Sequence, residues 1–179
     1  DTTSYVAFYN FGDVGQNEDD RIVSGYKYEG VVIPQIQYLS NNRSVALKDN
    51  GFTIYQGSQI PKEVKTVETD KEIVSTFYDD DMIGMVFKND SKDKQYMMEV
   101  YTTEGKLKFK QDFNIPYTTI RLSGGNILMY NSSQMCVMNS RGVQKYMGSV
   151  DGTIKDFFKI GWNRYMLVLD SGVDVIKLS

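Results

Sequence analysis

Residues 120–150 read IRLSGGNILMYNSSQMCVMNSRGVQKYMGSV. Four short apolar segments follow one another there, and three turns rich in Gly, Asn and Ser separate them. Each segment has the length of a strand, and each turn carries residues that reverse the chain at little steric cost. The same order recurs before and after this stretch at a spacing of about 40 residues. A repeat of that length built from four strands is the signature of a β-propeller blade.

Working outward, the preceding unit has strand patterns at 73–78, 82–87, 95–102 and 106–113. The unit before that has them at 36–39, 44–48, 52–56 and 63–67, with the hairpin turn Asp49-Asn50-Gly51 between its second and third strands. After residue 150, patterns at 154–160, 164–169 and 173–178 open a further unit. At the start of the chain, residues 5–11 (YVAFYNF) are apolar on both faces and read as an inner strand, followed by strands at 21–29 and 31–33. With strands lettered A to D from inner to outer, the expected order is BCD, ABCD, ABCD, ABCD, ABC. The first turns fall near Asn41, Asp80, Gly124 and Trp162, at spacings of 39, 44 and 38 residues. The expected fold is therefore all-β: a β-propeller of four-stranded antiparallel blades with four to five blades present. One domain spans 1–179, in units of about 1–35, 36–70, 71–116, 117–152 and 153–179. The ragged end units do not add up to one four-stranded blade, so the expectation is part of a larger propeller of about seven or eight blades. The first residue is Asp1 and not Met, which reads as a processed or trimmed piece.

Composition narrows the function classes. A chain of 179 residues with 41% hydrophobic and 13% aromatic content can bury one sizeable core. A net charge of -3 argues against a nucleic-acid-binding surface and against a polybasic membrane patch. No apolar run approaches the roughly 20 residues of a membrane span, so no membrane contact is expected from this segment. The chain has no histidine, which removes Ser-His-Asp and Cys-His nucleophile systems and His general bases. Its one cysteine, Cys136, rules out an intrachain disulfide and a Cys-based zinc site. No cofactor, no metal and no enzyme activity are expected.

Candidate binding residues come from the turns. In a propeller, the B–C turns and D–A connections share one face, and the A–B and C–D turns share the other. The first face collects Asp13, Glu18, Asp19, Asp20, Asp49, Asp70, Asp90, Asp93, Asp151 and Asp170, against four lysines. Such a face suits a basic partner or a cation; the plainer explanation is that Asp is a good turn residue. Asp19, Asp20, Asp49, Asp93 and Asp170 are the residues singled out on it. Asn17–Asp20 and Asp79–Asp81 are oxygen-rich enough for Ca²⁺, but neither has EF-hand spacing. Trp162, in an A–B turn beside Asn163 and Arg164, is the sixth candidate. Exposed, it would stack on a sugar or anchor a protein; the simpler expectation is packing between blades. Tyr9, Phe11, Tyr101 and Tyr130 read as core. Lys106, Lys108 and Lys110 alternate with apolar residues, as on a half-exposed outer strand. Cys136 falls within a buried strand as an inert core residue.

Phrases such as SVALKDNGFTIYQG (44–57) and RYMLVLDSGVDVIKLS (164–179) are strand–(Asp/Asn)-x-Gly–strand units. With them the chain resembles bacterial extracytoplasmic β-propeller proteins, including Gram-positive families of unknown function with an N-terminal membrane anchor and PQQ-like or WD40-like blades. The sub-family marks are missing: there is no Trp-Asp dipeptide at strand ends, no sialidase Asp box and no Trp-docking repeat. What the resemblance implies is architecture and an extracytoplasmic place at the cell surface. The expected function is a non-catalytic binding scaffold, with a protein partner or self-association. The alternatives are a carbohydrate-binding or glycoside-processing propeller whose site needs further blades, and a structural assembly module.

Overall fold

The computed structural model describes residues 2–12, 21–89 and 93–178. Among these residues there are seventeen strands in five antiparallel sheets and no α-helix. The first sheet pairs β1 (Thr3–Tyr9) with β2 (Ile22–Glu29). The second is β3 (Gln35–Leu39), β4 (Arg43–Lys48), β5 (Gly51–Gln56) and β6 (Lys62–Glu68), in that spatial order. The third is β7 (Ile73–Tyr78), β8 (Met82–Lys88), β9 (Tyr96–Thr102) and β10 (Leu107–Phe113). The fourth is β11 (Thr119–Ser123), β12 (Asn126–Tyr130), β13 (Gln134–Asn139) and β14 (Gln144–Ser149). The fifth is β15 (Ile154–Gly161), β16 (Arg164–Leu169) and β17 (Val173–Lys177). Each sheet is a simple meander, as expected of propeller blades.

The core lies between sheets, one cluster per boundary. Second strands carry it because both of their faces are covered. On β4, Val45 and Leu47 pack towards the third sheet with Ile83, Met85 and Phe87, while Ala46 packs towards the first with Val6 and Phe8. On β12, Ile127 and Met129 point to the third sheet, and Leu128 and Tyr130 to the fifth. That two-sided burial is why these strands read as unbroken apolar runs instead of alternating ones. Outermost strands are wetter: β14 alternates between exposed and half-buried residues, and most of β6 is exposed. The sheets are stacked as a fan that does not close on itself, since the first and fifth have no sheet against their outer faces among the described residues.

The hairpins follow the turn chemistry of the sequence. Gly51 has φ of 141°, and a Cβ there would lie 2.0 Å from the Val67 carbonyl oxygen, so the β4–β5 turn requires glycine. The start of the chain departs from expectation. Residues 31–33 are not a strand. The Val32 carbonyl accepts from Asp49 N at 3.0 Å, just as Thr153, in the connection before the fifth sheet, accepts from Asp170 N at 3.0 Å. Residues 30–34 are thus the D–A connection into the second sheet. By the same equivalence β2 is the outermost strand of its sheet and β1 the next one in, so the first unit holds strands C and D and not B, C and D. An apolar Val-Val-Ile run is unable to remain a strand while the chain crosses from an outer edge to the next inner strand, and Pro34 adds no N–H to a ladder. Tyr9 and Phe11 also differ from expectation: Tyr9, 48% exposed, is on the side of β1 that no sheet covers among the described residues, and Phe11, 75% exposed, lies just beyond the strand and stacks on Tyr9.

Candidate functional site

The two faces of the fan are built as the repeat implies. On one, hydrogen bonds tie the B–C turns to the D–A connections: Thr69 N to Asn50 O, Val150 N to Ser133 O, and Asp170 N to Thr153 O. Asp49, Asp93 and Asp170 are all exposed there, each in the B–C turn of a different sheet. They are spread one per sheet and do not converge. The Asp170 carboxylate accepts from Thr153 N at 3.1 Å, and this backbone bond holds its pKa below the usual range. Its first task is to fasten a turn. Lysines are interleaved with the acids at this end of the fan. Lys48 is buried beneath it, 3.4 Å from Glu68 and over the Tyr28 ring, and Lys88 lies 3.7 Å from Glu72. Asp19 and Asp20 lie outside the described residues. Among the described residues no three His, Cys, Asp or Glu side chains come together as metal ligands.

The opposite face carries the A–B and C–D turns. Asp79 Oδ1 accepts from Asp81 N and Met82 N, and Asp80 Oδ1 from Ser40 N at 3.0 Å, so these two carboxylates of the Asp79–Asp81 cluster cap turns. Arg43 is held by Gln56, Thr103 and Glu104, the last at 2.9 Å, beside a polar recess of about 410 Å³. Trp162 stands on this face. It does not pack between blades, as the simpler reading expected: it is 87% exposed, the largest value among the exposed large apolar side chains. Its place is nonetheless fixed. Asn163 takes φ of 49°, which closes a two-residue turn between β15 and β16, and its carbonyl accepts from Leu178 N at 2.8 Å. The indole is therefore offered to solvent on a rigid hairpin.

A third set of polar groups was not anticipated. Side chains on or next to the innermost strands join adjacent sheets. Gln35 donates to the Tyr78 hydroxyl, which donates to Gln37; Tyr117 donates to Ser75 Oγ at 2.8 Å. Arg121 donates to Asp156 Oδ1 at 2.7 Å and to the Phe157 carbonyl, between the rings of Tyr130 and Phe158. Tyr130 also donates to Asp156; burial first, and then this carboxylate, raise the phenol's pKa. Apart from Tyr130 and Asp156, the partners in these pairs lie 35 to 43 residues apart, one repeat length, and that spacing was the available signal.

A protein-family model, DUF5711, described as a family of unknown function, matches residues 1–178. The chain belongs to DUF5711. No curated protein sequence matches it. Among solved structures, this DUF5711 chain is similar to a eukaryotic initiation factor, with a TM-score of 0.58 at 12% identity over 99% of this chain and 50% of that one. It is also similar to the N-terminal region of BBS1, solved in complex with ARL6, with a TM-score of 0.54 at 12% identity over 88% and 55%. BamB from Moraxella catarrhalis gives 0.50 at 11% identity over 90% and 45%. These likenesses establish a β-propeller-like fold. The chain spans about half the length of each of these neighbours.

Proposed function

We propose that this DUF5711 chain is a non-catalytic interaction scaffold that acts outside the cytoplasm and presents turns from a rigid fan of blades to a protein partner. The observation that carries the reading is Trp162: a large apolar side chain, 87% exposed, on a hairpin whose backbone is fixed by hydrogen bonds. Leaving such a side chain in water is unfavourable, and a preorganised aromatic loses little entropy on binding. That a similar fold, BBS1, is seen holding ARL6 supports a protein as the partner class. The finer placement, with membrane-anchored propellers of Gram-positive type, rests on the resemblance of the strand–turn phrases.

The test uses Trp162→Ala. Purified wild-type and variant chains, matched by circular dichroism, are used to capture proteins from a surface extract of the source cells. Wild type is expected to retain at least one protein that the variant loses. Equal capture by both overturns the reading. The sugar alternative has its own outcome: Trp162 is the only tryptophan, so a change in its fluorescence on adding oligosaccharides, without protein capture, assigns the face to carbohydrate.

A further inference from the structure

The boundary between the third and fourth sheets is left open at its outer rim. A groove of about 450 Å³ runs there beside β10 and β14, with Ile115, Cys136 and Met138 in its floor and Val143 and Met147 in its wall. That volume is within the roughly 300–1,000 Å³ of ordinary ligand pockets. The preceding boundary shows what fills this place elsewhere. Glu99 on β9 stands opposite Lys110 on β10, as Cys136 on β13 stands opposite Met147 on β14. Between the second and third sheets that pair is an ion pair at 2.7 Å, with the Tyr101 hydroxyl donating to the same carboxylate. Between the third and fourth it is a thiol and a thioether. Val143 is 53% and Met147 49% exposed as a result.

Two further features say what would cover this surface. Lys94 and Arg141 border the groove, and neither makes an ion pair among the described residues; Asp112 is the one acid in the lining. On a chain of net charge -3 this is a locally positive rim. In addition, β14 is the edge of its sheet, so its outer row of N–H and C=O groups is unpaired among the described residues. An edge strand accepts an extended segment, whose alternate side chains then point to one side.

We infer that the groove binds an extended acidic peptide of a partner protein. The segment lies along β14, one bulky apolar side chain rests on Met138 and Met147, and carboxylates on either side of it pair with Lys94 at the B–C end of the groove and with Arg141 at the C–D end. This inference rests on the reading of the chain as a protein-binding scaffold, but it uses a site apart from Trp162.

Fluorescence polarisation with three fluorescein-labelled decapeptide pools tests it on the intact chain. One pool alternates Leu or Phe with Asp or Glu, one replaces the acids by Lys, and one replaces the apolar residues by Ser. Only the acidic–apolar pool is expected to bind, at least tenfold more weakly to Met147→Glu and to Arg141→Glu, and more weakly as salt screens the cations. Both substitutions are at exposed positions, which keeps the fold intact. Failure of that pool to bind, or binding that ignores both substitutions, overturns the groove. Trp162→Ala separates the two proposals: loss of protein capture with no peptide binding refutes the groove alone, and peptide binding with unchanged capture refutes the Trp162 face alone.

Discussion

Gly84 lies on β8 directly opposite Phe77 on β7, and the aromatic ring lies against the glycine. A Cβ at Gly84 would be 2.0 Å from Phe77 Cζ, 2.3 Å from Cε2 and 2.4 Å from Cε1. Carbon atoms in contact sit about 3.5–4.0 Å apart, so the ring would have to move by more than an ångström. It has nowhere to go: Phe77 is 3% exposed and is packed with Met82, Val86 and Met98. Overpacking of this kind costs about 1–3 kcal/mol. Against it, alanine restricts the unfolded chain, which offsets about 0.5–1 kcal/mol. Taking the middle of each range, Gly84→Ala should therefore destabilise by about 1 kcal/mol. Phe77→Leu alone should also destabilise, but in the double variant the methyl enters space the ring has left. The double variant should cost less than the two singles together by about 1 kcal/mol. Urea unfolding followed by far-ultraviolet circular dichroism reads this out; Trp162 is too exposed to report on the core. A Gly84→Ala chain as stable as wild type, or a double variant whose cost is the plain sum, would refute the reasoning.

Other expectations concern charge and chemistry. Burial alone would raise the pKa of Glu99, but hydrogen bonds from Lys110 and Tyr101 outweigh it and hold the carboxyl below its ordinary value. The stabilisation from these bonds is complete above the unfolded pKa of about 4.3 and is lost as pH falls through the lower folded value. Glu99→Gln should cost about 1–2 kcal/mol at neutral pH, and its gap from wild type should narrow in urea titrations as pH falls below the unfolded value and through the lowered folded one. Burial pushes the Cys136 thiol up to about 11, so a neutral-pH thiol reagent should label it only as fast as the chain opens, which mass spectrometry can follow. Arg121→Met should cost about 1 kcal/mol by denaturant midpoint, since its ion pair with Asp156 is partly solvated. Trp162→Ala should change stability by less than about 0.5 kcal/mol, which leaves any loss of capture attributable to binding.

Much of the fold was legible because it is written locally. Asp49-Asn50-Gly51 states its hairpin outright, and the two-sided apolar runs at 45–47 and 127–130 announce strands covered on both faces. What sequence could not state depends on neighbours. Residues 31–33 have strand composition, yet their position between an outer and an inner strand makes them a connection. Tyr9, Phe11 and Trp162 have core composition, yet Tyr9 is on the face of β1 that has no sheet against it among the described residues, Phe11 lies beyond the end of that strand, and Trp162 is at the tip of a turn. The pairing of Arg121 with Asp156 needs the register of two blades, which strand patterns leave undetermined. The groove is further still from the sequence, because it arises from the substitution of Glu99 and Lys110 by Cys136 and Met147 at matching positions of successive blades.

The side-chain links between sheets join residues one repeat apart. Each sheet is thus fastened only to the one before it and the one after it, so free energy should be distributed along the fan like links in a chain. Amide hydrogen exchange should be slowest in β8 and fastest in β1 and β17, with a gradient between. Pulled from its termini, the molecule should peel hairpin by hairpin instead of rupturing at once. A ligand seated between the third and fourth sheets would bridge two links and raise the force at which they part, so occupancy of the groove has a mechanical reading as well as a chemical one.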